Sequence, residues 1–174
     1  MELRHYPDRV LKRKAQAIRE VTDRVAEQAR QMLDIMYESD GVGLAAPQVG
    51  WSRRLVTLDA EGTHEGQRVF LNPIIVRREG ELEHEEGCLS LPGVHLKVPR
   101  AEKVSVVAYT LEGERVELEP EGLLSCVWQH ELDHLNGLLI IDKVAPTALL
   151  AIREQLKELE RDAETKDKPQ STRR

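Results

Sequence analysis

The spacing of apolar residues along the chain predicts three long helices. Apolar side chains recur every three or four residues over 22–38, 123–135 and 148–160, the spacing that places them on one face of a helix. Thr22 stands where its hydroxyl can cap the first helix, and Gly41 follows that helix. We therefore expect the first helix to pack its apolar face against a sheet.

Shorter apolar runs between the first two helices predict β-strands. The acidic run 79–86 is typical of a solvated loop or an edge strand. Asp8 can cap a short additional helix over 9–15. The predicted strands cover 55–58, 69–76, 94–98, 103–110 and 115–119.

This order of elements predicts a single α+β domain over residues 1–161. Mixed, largely antiparallel β-sheets are expected to pack around the helix 123–135, with further helices at the N-terminal and C-terminal ends. Residues 162–174 contain no hydrophobic anchor, so we expect a disordered C-terminal tail.

The helix 123–135 carries the candidate chemistry. His130 and His134 are four residues apart with Glu131 beside the first, so both imidazoles point toward one spot from positions about 6 Å apart along the axis. Leu123 and Val127 continue the same stripe, so the histidines face inward and can share a divalent metal. This spacing alone is equally typical of hydrogen-bonded core or surface histidines.

For the other polar side chains of this helix and for the remaining histidines, the sequence indicates no catalytic role. The polar strip of this helix is expected to face solvent, with a structural hydrogen bond as the alternative for Asp133. His5, His64 and His95 are expected to be surface histidines. The strip comprises Ser125, Gln129, Asp133 and Asn136.

Composition argues against two classes of partner and indicates a compartment. The chain of 174 residues has a formal net charge of −6 and 3% aromatic residues, whereas nucleic-acid-binding surfaces are normally basic and use aromatic stacking. It has no apolar run of about 18 residues and no signal-peptide pattern, so we expect a cytoplasmic protein without a membrane span. Cys88 and Cys126 are then expected to be free thiols or metal thiolates.

A catalytic metal held by two histidines needs a third protein ligand. A metzincin-like site would place it at position 140, which is Ile140, and a thermolysin-like site would use Glu154, which falls on a polar helix face. Cys126 lies two turns from His134, roughly 12 Å in rise, which is too far for both to reach one ion. Cys88 is the better candidate.

The segment 41–48 is rich in small residues and contains two glycines and a proline. It lacks the lysine of a phosphate-binding loop and the third glycine of the dinucleotide fingerprint, so a nucleotide site is not indicated. Taken alone, the segment favours a tight structural turn. The alternative is close approach of its backbone to a ligand or another strand.

Three motifs together resemble the signatures of bacterial peptide deformylases. They are Gly-Val-Gly-Leu-Ala-Ala-Pro-Gln at 41–48, Glu-Gly-Cys-Leu-Ser at 86–90 and Gln-His-Glu-Leu-Asp-His-Leu at 129–135. The helical C-terminus is similar to the type common in Gram-negative bacteria. The resemblance implies a metal-dependent hydrolase that removes the formyl group from N-formylmethionine at the amino terminus of newly made proteins and releases formate.

The resemblance also implies roles for individual residues. Glu131 accepts a proton from the attacking water and delivers it to the leaving amine, while the Gln48 amide and the backbone N–H of Leu89 stabilise the oxyanion. The family natively uses Fe²⁺, which Zn²⁺, Ni²⁺ or Co²⁺ can replace. The implied metal ligands are Cys88, His130 and His134.

For the substrate, the resemblance implies a strand-like alignment on the backbone of Val42, Gly43 and Gly87. Arg100, paired with Glu86, is expected to support the substrate site. The pocket for the methionine side chain is expected to draw on Val42, His84, Leu123, Cys126, Val127 and the ring of His130.

The expected partners are N-formylmethionyl nascent polypeptides and the ribosome, the latter met through the C-terminal helix and tail of a monomeric enzyme. Two other functions compete with this interpretation. One is a metalloprotease or other amidohydrolase. The other is a structural metal site in a binding module, against which Glu131 argues because such a site needs no base.

Overall fold

The computed structural model describes residues 1–65 and 68–166 and shows four α-helices and seven strands within them. The helices are α1 (Asp23–Glu38), α2 (Gly122–Leu135), α3 (Pro146–Ala151) and α4 (Arg153–Lys166). The strands are β1 (Gly43–Ala45), β2 (Leu55–Leu58), β3 (Val69–Glu79), β4 (Leu82–Gly87), β5 (His95–Arg100), β6 (Lys103–Tyr109) and β7 (Arg115–Leu118).

The strands form two antiparallel sheets, which confirms the predicted α+β class. The larger sheet has the order β1-β2-β3-β6-β7, and β4 pairs with β5 in a separate two-stranded sheet. The acidic run 79–86 therefore contains most of β4. Of the two alternatives predicted for this run, a solvated loop or an edge strand, the structure has the edge strand. In each sheet one strand, β1 or β4, leads directly into a motif segment.

Helix α2 packs against one face of the larger sheet. Val127, Trp128 and Leu132 are buried with apolar residues of β2, β3 and β6. The indole of Trp128 meets the ring of Phe70 edge-on at 4.9 Å between centroids, an arrangement that aromatic pairs favour. This packing holds the histidine face of α2 at a fixed depth in the protein.

Two further apolar clusters surround the site. In the first, α1 packs Met32 and Met36 on β2 and β3, and Thr22 caps the helix as predicted. The second joins β5 and the segment after β4 to the C-terminal region, including Ile140 and Ile152. The motif segment 41–48 contributes to the first of these clusters, whereas the segment 86–90 contributes to both, through Leu89 in the first and Cys88 in the second.

Half of the polar strip of α2 is covered: Ser125 and Gln129 are buried, whereas Asp133 is half-buried and Asn136 is exposed. Ser125 and Gln129 are buried and hydrogen-bonded to the backbone of Ala101, with Gln129 both donating to its carbonyl at 2.9 Å and accepting from its N–H at 3.0 Å. The prediction that this strip faces solvent was wrong for these residues, since a turn between β5 and β6 satisfies both polar side chains.

Both ends of the chain differ from prediction in detail. The N-terminal helix is a 3₁₀ turn over Arg9–Lys12, capped by Asp8. The single C-terminal helix predicted over 148–160 is two helices, α3 and α4, separated at Ile152. Helix α4 continues to Lys166 and so includes the first residues of the predicted tail, while 167–174 lie outside the described residues.

The segment 41–48 is not a tight turn. It forms the edge strand β1 followed by a 3₁₀ turn over Ala46–Val49.

The described helices include none that is both long enough and apolar enough to cross a membrane.

Candidate metal and catalytic site

Three potential metal ligands converge beside α2. The Nε2 atoms of His130 and His134 are 3.2 Å apart, and the Sγ atom of Cys88 lies 3.3 Å from Nε2 of His134. All three ligand atoms lie within 4.8 Å of one another. Cys88 reaches this point because β4 ends at Gly87 against the histidine face of the helix.

The spacing of these atoms suits one tetrahedral ion. Metal–nitrogen bonds of about 2.05 Å and metal–sulfur bonds of about 2.3 Å separate two nitrogens by about 3.3 Å and a nitrogen from a sulfur by about 3.6 Å. The observed separations of 3.2 and 3.3 Å are close to these values. The donor set therefore fits a divalent metal and leaves one position that the three side chains do not fill.

A buried chain of charges orients His130. Its Nδ1–H donates to Glu86 at 2.9 Å, so in the neutral ring the unprotonated nitrogen is Nε2, the atom that lies toward Cys88 and His134. Both oxygens of Glu86 accept hydrogen bonds from Arg100, at 2.6 and 2.8 Å. Although burial raises the pKa of Glu86, the bonds from Arg100 and His130 lower it to about 2, so its carboxylate stays charged.

Asp133 completes this chain. Its Oδ2 atom accepts from Arg100 at 2.6 Å, and Lys143 lies 3.5 Å from Oδ1. Of the two alternatives for Asp133, the structure has the structural hydrogen bond. The structure also buries Arg100 between the carboxylates of Glu86 and Asp133, so Arg100 acts on His130 only through Glu86.

Glu131 lies buried on the side of α2 that faces β1. Its Oε2 atom has no hydrogen-bond partner within residues 1–65 and 68–166, and burial raises the pKa of this carboxyl to about 7. A buried carboxyl without a partner is costly unless a ligand or reactant supplies one. The environment thus suits a group that gains and loses a proton near neutral pH.

Close packing against Gly43 fixes the Glu131 carboxyl. A Cβ atom added to Gly43 would lie 2.6 Å from Oε1 of Glu131, closer than nonbonded atoms approach. The glycine is therefore needed for the close approach of β1 to α2, which was the alternative interpretation of the segment 41–48.

Replacing Gly43 by alanine is expected to displace the carboxyl of Glu131 by about 1 Å and to lower kcat by about 10- to 100-fold while the metal is retained. Steady-state kinetics together with metal analysis would test this. In a Glu131→Gln background the same alanine should cause little further loss. A wild-type kcat in the single variant would contradict the importance of this contact.

Gln48 is held so that its amide N–H₂ group faces the cysteine. Its side-chain oxygen accepts from the backbone N–H of Ala45 at 2.8 Å, while Nε2 lies 3.3 Å from Oγ of Ser90 and 3.7 Å from Sγ of Cys88. Leu89 follows in a turn closed by the N–H of Leu91 on the Cys88 carbonyl at 2.9 Å. The N–H of Leu89 is thus not used to close that turn.

A cavity of about 460 Å³ opens beside these groups. With the exceptions of His134 and Arg100, every site residue predicted from the sequence lines it. His95, predicted as a surface histidine, is exposed but also lines its wall. The predicted site residues that line the cavity are Val42, Gly43, Gln48, His84, Gly87, Cys88, Leu89, Leu123, Cys126, Val127, His130 and Glu131.

Comparison with known proteins agrees with this geometry. The family model described as polypeptide deformylase matches residues 1–149. The chain belongs to the polypeptide deformylase family. A peptide deformylase of Chromobacterium violaceum is 42% identical over 92% of this chain and 96% of its own length. The predicted family and its class of reaction, metal-dependent hydrolysis, are confirmed.

Solved deformylase structures share the fold. A peptide deformylase from Legionella pneumophila has a TM-score of 0.87 and 40% identity, covering 97% of this chain and 98% of that one. A plant deformylase from Arabidopsis thaliana, solved with an inhibitor, has a TM-score of 0.91 and 36% identity, covering 100% of this chain and 98% of its own. Similarity therefore extends over the whole domain rather than the motifs alone.

Sequence reasoning did not predict the contacts that orient Gln48, and for Asp133 it gave a structural hydrogen bond as an alternative without naming the partner. Ser90 and the backbone of Ala45 orient Gln48, and Asp133 continues the chain from Glu86 and Arg100. Ser90 lies inside the second motif and Asp133 inside the third, so their positions in the sequence indicated that they lie near the site. Their partners, however, come from other elements and are not adjacent in sequence.

Proposed function

We propose that this chain removes the formyl group of N-formylmethionyl peptides by hydrolysis at the Cys88–His130–His134 site, with Glu131 as the proton carrier. The observation that best supports this is the buried, unpartnered carboxyl of Glu131 beside a group of three converging ligands. A structural metal site would not place such a carboxyl at its open side. The family supplies the class of reaction.

The residues present would hold one divalent metal through a thiolate and two imidazoles. This donor set suits Fe²⁺ and Zn²⁺, and we take Fe²⁺ as the native ion with Zn²⁺, Ni²⁺ or Co²⁺ as substitutes. When bound, such a metal acts as a Lewis acid and favours the ionised form of water. Glu86 keeps the His130 ring in the tautomer that can bind it.

The protein's own groups carry the proton and the developing charge. Glu131 accepts a proton from the attacking water and later donates it to the leaving amine of methionine. The Nε2 donor of Gln48 and the backbone N–H of Leu89 face the position where negative charge develops on the formyl oxygen, and losing one such donor typically costs about 2.7–4 kcal/mol.

The substrate backbone is proposed to lie between the free edges of β1 and β4. Val42 and Gly43 belong to one wall of the cavity and Gly87 to the other, so an extended peptide could hydrogen-bond to both. The methionine side chain would occupy the part lined by apolar atoms of α2. That part is formed by His84, Leu123, Cys126, Val127 and the His130 ring.

The direct test is formate release from a formyl-Met tripeptide by anaerobically purified protein, measured beside hydrolysis of casein. Formate release without casein cleavage is expected. Casein cleavage without formate release would favour a metalloprotease. Absence of both activities in metal-loaded protein would favour a structural metal site.

We further propose that the enzyme is a cytoplasmic monomer that meets nascent chains at the ribosome through α4 and the tail. Residues 167–174 carry three basic side chains against one acidic side chain. Deleting them is expected to leave deformylation of a short peptide unchanged, because these residues contain no hydrophobic side chain to pack. The truncated protein should co-sediment less with ribosomes at low salt than the full chain does. Unchanged co-sedimentation would contradict a role of residues 167–174 in ribosome binding.

A further inference from the structure

Residues 3–6, which we name the N-terminal strap, are hydrogen-bonded to two site segments at once. The backbone N–H of Arg4 donates to the carbonyl of Gln48 at 2.7 Å, and that of Tyr6 donates to the carbonyl of Ser90 at 2.9 Å. Residues two apart in an extended chain present their N–H groups on the same side, so one short segment can serve both acceptors.

The two acceptors belong to separate parts of the core. Gln48 lies in the 3₁₀ turn whose apolar residues pack with α1, whereas the residues after Ser90 pack with β5 and the C-terminal region. The strap follows the same division, since Leu3 packs on the first cluster and Tyr6 on the second. It therefore spans the boundary between the two clusters.

The proposed oxyanion donors come from the two segments that the strap joins. The Nε2 donor belongs to Gln48, and the N–H donor belongs to Leu89, the residue before Ser90. The side chain of Leu89 packs on the same cluster as the Gln48 turn, while Cys88 and Leu91 pack on the other. Both donors must lie about 2.7–3.1 Å from one oxyanion, so a small change in the gap between them weakens both bonds. The direct hydrogen bond between Nε2 of Gln48 and Oγ of Ser90 is long, at 3.3 Å, and therefore weak. The strap can then determine the distance between the two segments.

We propose that the N-terminal strap is a positioning segment for deformylation, whose two backbone hydrogen bonds set the gap between the Gln48 amide and the Leu89 N–H. This inference rests on the proposed function, because it takes these groups as the oxyanion donors. The outer end of the strap is itself anchored, since the hydroxyl of Tyr6 donates to Glu160 of α4 at 2.7 Å.

The test compares two substitutions at one residue. Arg4→Pro removes the N–H that bonds Gln48, while Arg4→Ala keeps it and removes only the side chain. With a formyl-Met tripeptide, Arg4→Pro is expected to lower kcat at least about tenfold, with KM and metal content within about twofold of wild type. Arg4→Ala should stay within about twofold in all three quantities.

A general structural role makes a different prediction. It would lower the melting temperature or the metal content in parallel with activity, and a KM change would accompany the fall in kcat. An unchanged kcat in Arg4→Pro, or a fall matched by lost metal, overturns the proposal. If Arg4→Pro does not fold, a chain lacking residues 1–4 is measured in the same way against the same criteria.

A second comparison separates this inference from the proposed function. In a Gln48→Ala background, Arg4→Pro should cause much less loss than in wild type, because both changes act on the same donor. Full additivity would overturn the role of the strap. A wild-type kcat in Gln48→Ala alone would instead contradict the assignment of Gln48 as an oxyanion donor.

Discussion

Replacing any one of Cys88, His130 and His134 by alanine is expected to remove the metal and the deformylase activity together. Each side chain supplies one of three potential ligand atoms, which lie within 4.8 Å of one another. A catalytic site of this kind has no spare protein ligand, so two remaining donors bind a divalent ion far more weakly. Activity should fall below detection at micromolar metal.

Metal content of the purified variants and formate release measure the two effects separately. Cys126→Ala is the matched control, since this second cysteine lines the cavity but does not belong to the ligand group. It should retain the metal. Full metal occupancy in Cys88→Ala would show that the third ligand lies elsewhere. The alternative Glu154 is a poor candidate, because it is exposed on α4 and paired with Lys157.

Glu131→Gln should abolish most turnover while the metal stays bound. The amide keeps the size of the side chain and can still hydrogen-bond, but it cannot accept a proton from water. A positioned carboxylate contributes roughly 10²- to 10⁴-fold to general acid–base catalysis, so kcat should fall by about that factor with little change in substrate affinity.

Glu131 is placed for this role by its surroundings. Burial raises the pKa of its carboxyl to about 7, the missing side chain of Gly43 leaves space for Oε1, and Oε2 has no hydrogen-bond partner in the described part of the chain. Activity within a few fold of wild type in Glu131→Gln would exclude Glu131 as the proton carrier. Loss of metal in this variant would make it a ligand instead.

The Glu86–Arg100–Asp133 chain supports His130, one of the three proposed metal ligands, from outside the ligand group. Arg100 forms ion pairs with the buried carboxylate of Glu86, which holds the His130 ring, and with the half-buried carboxylate of Asp133. Removing one member of a buried ion pair typically costs about 3–5 kcal/mol, because the other charge is left without compensation. This chain therefore contributes both to stability and to the tautomer of the ligand.

The sequence by itself determined the elements and the chemistry that they carry. The apolar spacing of α2 and the four-residue separation of His130 and His134 are local properties, since neighbouring turns of one helix must bring such side chains together. Helix α1 and the strands β2, β3, β5, β6 and β7 followed from local patterns in the same way, whereas β1 was predicted as a tight turn and β4 as a loop or an edge strand. The three motifs also identified the family and contain about half of the residues that line the cavity.

Only the tertiary structure decided how these parts meet. Cys88 lies 46 residues before His134, and no local rule brings its thiolate within 3.3 Å of that ring. The same holds for the packing of Gly43 on Glu131, for the Arg100–Asp133 pair and for the strap that joins Gln48 to Ser90. Each depends on which surfaces of separate elements are buried against each other, and burial also sets the pKa of Glu131, so these features exist only once the whole core has formed.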